Sequence, residues 1–350
     1  MSNNTIIMEA PHPAAGAILD DVEGMPAIPR LIFRRFRGAS DYPPMAVVIG
    51  ASADADQVER ADTVEDITIS YAHLSNSDPY RDMIFAEVDG QMVGYSRGWW
   101  QEEPDGPTIY AMVGFVAPDW RRKGIGRAML RWMEARLREV AAEHPADRPK
   151  FFQAFVDMSA AGLVALLESE QYAPVRYGHE MVRPSLDDIP DFPLPDEFDI
   201  RPALPEHYRA IWDADIEAFL DHWGHITRTE EDYQGWLLNK SYFQPDLWQI
   251  AWHVPTNEVA GQVQTFINKA ENEKYHRRRG YTEGISVRRP FRRRGLARAL
   301  IAASLRVQRE RGMTESALGV DSENLSGATR VYEDCGFRTV KRSATFRKPL

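Results

Sequence analysis

Two short basic segments that contain glycine recur in the chain, and each has the composition of an anion-binding turn. The first is Arg121-Arg122-Lys123-Gly124-Ile125-Gly126, and the second is Arg292-Arg293-Arg294-Gly295-Leu296-Ala297. A glycine turn between a strand and a helix exposes backbone N–H groups, and the start of the helix adds partial positive charge. Glycine lets a ligand approach the backbone, while arginine and lysine supply charge. The pattern predicts contact with a phosphate or pyrophosphate.

Neither segment fits the two best known phosphate-binding motifs. No G-x-G-x-x-G follows either preceding strand, which excludes the Rossmann pattern, and the G-K-[ST] of a P-loop is missing as well. The alternative is an ordinary strand-to-helix corner with solvated basic residues. Two copies in the same setting favour the binding turn over that alternative.

The surroundings of the two turns are also repeated, 171 residues apart. An apolar run leads into each turn, over 109–116 and over 285–287, and an amphipathic helical pattern follows each one. Opening strands (31–36, 198–201), helices (39–53, 205–220), hairpins (83–100, 247–267), later strands (151–156, 317–320) and short helices (161–169, 326–335) are predicted in the same order in both parts. The repeat therefore predicts a duplicated α/β fold.

Proline and charge divide the chain into segments. Residues 1–29 are predicted to be an arm of uncertain order, 30–183 a first half, 184–197 a proline-rich linker, and 198–350 a second half. Residues 1–191 contain 18 Lys and Arg against 30 Asp and Glu, whereas residues 192–350 contain 24 against 22. The net charge of −10 therefore belongs to the first part of the chain.

Composition narrows the function classes. The 350 residues include one cysteine, Cys335, so neither an intrachain disulfide nor a cysteine-based metal site is expected. No run approaches the roughly 20 apolar residues of a membrane-spanning helix, and the start does not read as a signal peptide. We expect a soluble cytoplasmic protein, monomeric or homodimeric, that binds neither nucleic acid nor membrane.

The turn Arg-x-x-Gly-x-Gly/Ala after an apolar strand resembles the acetyl-CoA signature of the GNAT N-acetyltransferase superfamily. The segments "ISVRRPFRRRGLARALI" and "SENLSGATRVYEDCGF" resemble it most closely, and the whole chain is similar to the tandem, mycothiol-synthase type. The resemblance implies two tandem GNAT-type domains, each a mixed central sheet flanked by helices. It implies acetyl-CoA as co-substrate and direct acetyl transfer to a primary amine of a small molecule, without metal.

The resemblance also implies roles for individual residues of the second half. Tyr332 stands where the family carries its thiolate-protonating tyrosine, and Asn324 stands where an asparagine touches the pantetheine. Glu283 is the best candidate for the base, and the Val287 N–H is the candidate donor to the oxyanion. Acetyl-CoA contacts are expected at Ile285, Ser286, Val287, Arg292, Arg293, Arg294, Gly295, Leu296, Ala297 and Asn324, and in the first half at Val116, Arg121, Arg122, Lys123, Gly124, Ile125 and Gly126.

Each catalytic assignment has a structural alternative. Tyr332 could pack in a core, Glu283 could be a solvated edge residue, and Asn324 could cap a helix. In the first half Leu167, Ser159 and Met112 stand opposite Tyr332, Asn324 and Glu283. That half is therefore predicted to have lost catalysis, whether or not it still binds acetyl-CoA.

The segment Asp221-His222-Trp223-Gly224-His225 follows the first helix of the second half. Two histidines three residues apart could share a metal, but no third ligand is identifiable. His222, Trp223 and His225 are therefore predicted to contact the amine substrate. A non-catalytic acetyl-CoA-binding or sensing protein and a protein N-acetyltransferase remain as alternative functions.

Overall fold

The computed structural model describes residues 12–104, 106–323 and 327–350. The first half contains six strands and four helices within these residues. They are β1 (Leu31–Arg34), α1 (Tyr42–Asp56), α2 (Val64–Ala72), β2 (Met83–Val88), β3 (Gln91–Glu102), β4 (Thr108–Val116), α3 (Ile125–Ala142), β5 (Lys150–Asp157), α4 (Ala161–Ser169) and β6 (Ala173–Arg183).

The second half repeats this order, with one strand divided and one short helix added. Its elements are β7 (Phe198–Arg201), α5 (Tyr208–Phe219), α6 (Glu230–Leu238), β8 (Gln249–His253), β9 (Glu258–Val263), α7 (Lys269–Lys274), β10 (Arg279–Tyr281), β11 (Ser286–Val287), α8 (Leu296–Glu310), β12 (Glu315–Asp321), α9 (Ala328–Asp334) and β13 (Arg338–Pro349). The predicted duplicated fold is confirmed; α2 and α6 are repeated helices that the sequence patterns did not indicate.

The strands form two sheets, and the larger one runs through both halves. Its nine strands lie in the order β1-β2-β3-β4-β5-β13-β6-β12-β10, and a four-stranded sheet has the order β11-β9-β8-β7. Both sheets are mainly antiparallel, but β4 pairs parallel with β5 and β10 pairs parallel with β12. Each half therefore has the mixed sheet that was expected.

The last strand of each half is inserted into the sheet of the other half. Strand β13 pairs antiparallel with β5 and with β6, while β6 pairs antiparallel with β12. Phe346 on β13 is 1% exposed and belongs to the core under α3 and α4, although it lies in the second half of the sequence. The two halves therefore share one continuous sheet and cannot be separated at the linker without unpairing these strands.

The arm and the linker both have defined positions. Residues 16–19 of the arm pair with β1, through Leu19 N–H to Phe33 O at 2.8 Å and Arg35 N–H to Ala17 O at 2.8 Å. Val22 then enters the first core. In the linker Leu186 is buried in the second core. The order of residues 12–29, which the sequence left open, comes from this strand pairing and burial.

The strand exchange gives a stability prediction. Replacing Phe346 with alanine should lower the free energy of unfolding by about 3–5 kcal/mol, because it leaves a cavity in a closed core. Urea denaturation measures the loss, and amide hydrogen exchange should become faster in β5 and β6 of the first half. Val340→Ala on the same strand, where the side chain is 54% exposed, is the matched control and should change stability by less than about 0.5 kcal/mol. Faster exchange confined to the second half would contradict the shared core.

Candidate active site

The strand that leads into the second glycine turn loses one of its two neighbours part of the way along. One edge stays beside β9 and the residues that follow β9, from the bridge between Tyr281 and Phe266 to the pairing of β11 with β9. On the other edge β10 pairs with β12, and within the described chain β11 does not. Between them lies Gly284, whose φ is +55° and whose missing side chain would meet Gln264 at 3.0 Å. The left-handed backbone at this glycine permits the break. The sheet consequently opens between β11 and β12.

This opening leaves one edge of β11 without a strand beside it in the described chain. The Arg288 N–H donates to Ala260 O across the β9 pair at 2.9 Å. Because successive residues of a strand point their backbone groups to opposite edges, Val287 presents its N–H and C=O to the opening. The Val287 carbonyl accepts Arg292 Nε at 2.9 Å from that side. Its N–H is thus placed where a bound thioester could reach it.

The two glycine turns have the same backbone conformation. Arg122 and Arg293 have φ values of 61° and 64°, and Gly124 and Gly295 have φ values of 93° and 84°. A left-handed conformation favours glycine, which explains the glycines at 124 and 295. Leu296 and Ile125, the first residues of α8 and α3, are buried in their cores. Their backbone N–H groups, rather than their side chains, are therefore available at the helix start.

The first arginine of each turn is engaged inside the protein. Arg292 donates to Ala218 O and Asp221 as well as to Val287 O. Arg121 makes the equivalent bonds to Ser52, Asp56 and Val116 O. These bonds tie each turn to the C-terminal part of the first helix of its half, α1 or α5. The sequence did not reveal this structural role, and the predicted contact with a cofactor would be additional to it.

The remaining basic side chains lie at the surface. Arg293 and Arg122 are exposed. Arg294 forms an ion pair with Glu197 and donates to Pro290 O at 3.1 Å, and Lys123 lies over the ring of Trp120 at 4.6 Å. Together with the helix starts, these residues make both turns electropositive, in keeping with the predicted anionic ligand.

Glu283 lies at the opening of the strand. Its carboxylate accepts the Gly319 N–H of β12 at 2.7 Å, so it spans the two strands that separate. Burial raises the pKa of this carboxyl to about 7, the Gly319 hydrogen bond opposes that shift, and Glu180 adds to it. A carboxyl with this pKa can accept a proton near neutral pH, as the predicted base requires.

Tyr332 lies on α9 in the second core and is 7% exposed. Burial raises the pKa of its phenol, and the nearby Glu283 carboxylate raises it further. The structure thus brings the predicted acid and the predicted base close enough to influence each other electrostatically. A phenol with the ordinary pKa of 10 already keeps its proton at neutral pH, and the shift is in the same direction.

Two cavities open on the face of the sheet that carries Glu283. One, of about 410 Å³, is lined by Glu283, Tyr242, Phe266, Tyr281 and three further glutamates, Glu59, Glu180 and Glu271. The second, of about 430 Å³, lies over β5, β13, β6 and β12 and is lined in part by His222 and Trp223. Glu180 lines both cavities. His225 lines neither of them, and its N–H donates to the His222 carbonyl at 3.2 Å.

The first half contributes charged walls to these cavities. Glu59 pairs with Arg277, with Arg279 at 2.8 Å and with Lys341 at 3.2 Å, which lowers its pKa against the effect of burial. Burial raises the pKa of Glu180. The guanidinium groups of Arg176 and Arg347 lie 5.5 and 4.5 Å from the ring centroid of Trp223. The strand exchange therefore places residues of both halves around one site.

The equivalent place in the first half lacks this chemistry. Met112 and Leu167, at the positions of Glu283 and Tyr332, are both buried in the first core. Ser159 donates to Asp157 at 2.7 Å. The arm also contacts the first turn, since a side chain on Gly124 would meet Pro26 at 3.2 Å, whereas nothing lies within 4 Å of the same position at Gly295.

Asn324 falls outside the residues that the structure describes, so its predicted contact stays a prediction. One further polar residue at the site, Asp215 on α5, was not identified from the sequence. Its signal was a carboxylate on the apolar stripe of the helix, between the buried Ala214 and Ala218. Among the described residues, no group of three or more His, Cys, Asp and Glu could hold a metal ion, and no helix has the length and apolarity to cross a membrane.

The duplicated mixed sheet with paired glycine turns defines a tandem α/β protein whose two halves share the acetyltransferase fold. The chain matches the Acetyltransferase (GNAT) family over residues 51–168 and 208–337. It belongs to that family and is an acetyltransferase in which the family domain occurs twice.

Proteins of the same two-domain size are similar over nearly the whole chain. A protein named mycothiol acetyltransferase from Catenulispora acidiphila is 27% identical over 88% of this chain and 96% of its own length. The crystal structure of a GCN5-related N-acetyltransferase from Sphaerobacter thermophilus is 26% identical, with a TM-score of 0.69 over 92% of this chain and 96% of that one. A tandem GNAT protein from the clavulanic acid biosynthesis pathway, 18% identical with a TM-score of 0.62 over 91% of this chain and 98% of that one, shares the fold.

The raised pKa of Glu283 predicts a pH-dependent contribution to stability. Between its ordinary value of 4.5 and about 7, the folded protein holds a proton that the unfolded chain releases. Its contribution therefore favours folding most at low pH and declines as pH rises through that window. Urea denaturation at pH 5 and pH 8 should show Glu283→Gln gaining stability relative to wild type at the higher pH. The exposed Glu333→Gln should show no such gain, and an equal effect of both variants would contradict the assignment.

Proposed function

We propose that the second half transfers an acetyl group from acetyl-CoA to a primary amine of a small molecule, directly in a ternary complex. The opening between β11 and β12, with Glu283 held at its mouth, is the observation that carries this proposal. A gap of this kind lets an extended pantetheine chain lie beside the free edge of β11. The turn at Gly295 would receive the diphosphate on the backbone N–H groups at the start of α8.

The proposed proton transfers follow from the two pKa shifts. Glu283 takes a proton from the acceptor ammonium, and the neutral amine nitrogen attacks the thioester carbonyl carbon. The carbonyl oxygen becomes an oxyanion that accepts the Val287 N–H. The carbon–sulfur bond then breaks, and the departing thiolate receives the phenolic proton of Tyr332. The attacking nitrogen gives up its second proton to the resulting Tyr332 phenolate, so the products are the acetylated amine, free coenzyme A and one proton held by Glu283.

The cavities support a small acceptor. Volumes of about 410 and 430 Å³ lie within the range of small-molecule sites. The similar proteins named mycothiol acetyltransferase act, by that name, on a small molecule. Glu180 and Glu59 bring carboxylates from the acidic first half to the site, although both are paired with Arg279, at 3.3 and 2.8 Å. We propose His222 and Trp223 as contacts of the acceptor.

The first half serves in this proposal as a wall of the site rather than as a second catalytic centre. Its counterparts of the base and the acid, Met112 and Leu167, cannot exchange protons. Pro26 also lies against Gly124, on the side that is open at Gly295. The domain boundaries at 30–183 and 198–350 and a cytoplasmic location remain part of the proposal.

Release of coenzyme A thiol from acetyl-CoA, measured with a panel of amines, tests the proposal. With an accepted amine, kcat/KM should rise with pH through about 7, because the Glu283 carboxylate is the competent form. Glu283→Gln should remove this rise, the pH limb near 7, and lower kcat by about 10²- to 10⁴-fold. Tyr332→Phe, which keeps the ring in the core, should lower kcat with KM for the amine nearly unchanged.

Two results would overturn the proposal. Stoichiometric binding of acetyl-CoA without thiol release for any amine would identify a binding or sensing protein. Transfer to peptide N-termini or lysines, with no transfer to small amines, would identify a protein acetyltransferase. The exposed Glu333→Gln is the matched control for a lost glutamate on the second half and should keep wild-type turnover.

A further inference from the structure

Three polar side chains meet where α5 packs against β9 and β11: Asp215, Gln262 and Ser286. The Asp215 carboxylate accepts Gln262 Nε2 at 2.8 Å and the Ser286 hydroxyl at 3.0 Å. Gln262 is fully buried and Ser286 is 7% exposed. Within the described chain the Gln262 Oε1 atom is buried without a hydrogen-bond partner. We call these residues the polar triad.

The same three positions in the first half are apolar. Tyr95 pairs with Phe115 as Gln262 pairs with Ser286, and Ile49 lies on α1 as Asp215 lies on α5. Ile49, Tyr95 and Phe115 pack in one hydrophobic cluster, with the two ring centroids 5.5 Å apart. The same contact between helix and strands can therefore be made by hydrophobic side chains. The polar triad occurs in the half that carries Glu283 and Tyr332.

Polar groups at a buried contact are less favourable than well-packed apolar groups unless they serve a further purpose. The two halves differ in the continuity of the strand that this contact holds. In the first half Phe115 lies in β4, nine residues long and paired with β3 along its whole length. In the second half Ser286 lies in the two-residue β11, after the strand is interrupted at Gly284. At this place each strand is paired on one edge only, since β4 pairs with β5 no further than Met112 and β11 pairs with β9 alone.

A strand that is interrupted and is paired on one edge only gains from a second attachment. The Ser286 hydroxyl provides one, because it donates to a carboxylate fixed on a helix. The next residue is Val287, whose N–H faces the opening. A small shift of Ser286 would therefore move the N–H that the proposed transfer uses to stabilise the oxyanion.

We infer that Asp215 is a positioning residue, which holds Ser286 and β11 so that the Val287 N–H points at the thioester carbonyl oxygen. This inference rests on the proposed acetyl transfer in the second half. Asp215 itself exchanges no proton with the substrate and acts through Ser286. Gln262 Nε2 donates to the same carboxylate oxygen as the Ser286 hydroxyl, Oδ1, and so helps to hold that oxygen in place.

Steady-state kinetics of Asp215→Ala, Asp215→Asn and Ser286→Ala test the inference. Asp215→Ala should lower kcat about 10²-fold, the loss expected when a reacting group is misplaced by about 1 Å. The dissociation constant of coenzyme A, which has no acetyl carbonyl, should stay within about twofold because the Gly295 turn is intact. Asp215→Asn keeps an oxygen acceptor for Ser286 and should restore most of kcat.

A double-mutant cycle separates positioning from general destabilisation. Ser286→Ala alone should lower kcat as Asp215→Ala does, and the double variant should lose no more than either single variant. Asp213 lies two residues before Asp215 on α5 and pairs with Arg209 instead. Asp213→Ala is the matched control and should keep kcat within about twofold. The pH limb near 7 should persist in every Asp215 variant, since Glu283 is unchanged.

The inference is overturned if Asp215→Ala keeps kcat within about twofold, if Ser286→Ala has no effect, or if the variants lose the pH limb, which would make Asp215 a base. Thermal unfolding of Asp215→Asn shows whether the fold is retained, and a loss of kcat that follows the melting temperature alone also overturns it. These outcomes differ from failure of the proposed function, in which the wild-type protein transfers no acetyl group to any amine.

Discussion

The candidate site depends on one strand that loses a neighbour. Residues 279–281 pair with β12, whereas residues 286–287 pair with β9 alone, so within the described chain the backbone edge of β11 that faces β12 has no strand beside it. Buried backbone N–H and C=O groups are normally paired. An opening of this kind leaves backbone groups unpaired, which is unfavourable unless an extended ligand pairs with them. Gly284, with its left-handed backbone, lies where the pairing with β12 stops.

The exchange of β6 and β13 explains why a duplicated protein has one composite site. Strand β6 carries Glu180 and Arg176 from the first half to the side of β12. Strand β13 closes the core of the first half with Phe346. Neither half can then change independently, because its last strand is also part of the other half. The first half, which has Met112 and Leu167 at the positions of Glu283 and Tyr332, contributes sheet, core and cavity wall to this arrangement.

The sequence predicted most of the fold, because the fold depends on local patterns, and its site residues remain predictions. The two basic turns, the strands before them and the helices after them recur in order, and Glu283 and Tyr332 do lie near one another. The strand exchange was not predictable, because the residues of β13 specify a strand but not its neighbours. The internal bonds of Arg121 and Arg292 and the polar triad around Asp215 likewise depend on helices brought together by folding.

A crystal structure of the protein with coenzyme A tests the central claim most directly. The account predicts that the pantetheine chain lies along the free edge of β11, with its thiol toward Glu283 and Tyr332 and its diphosphate at the Gly295 turn. It would be contradicted by coenzyme A bound at the Gly124 turn, between β4 and β5, with none in the opening beside β11.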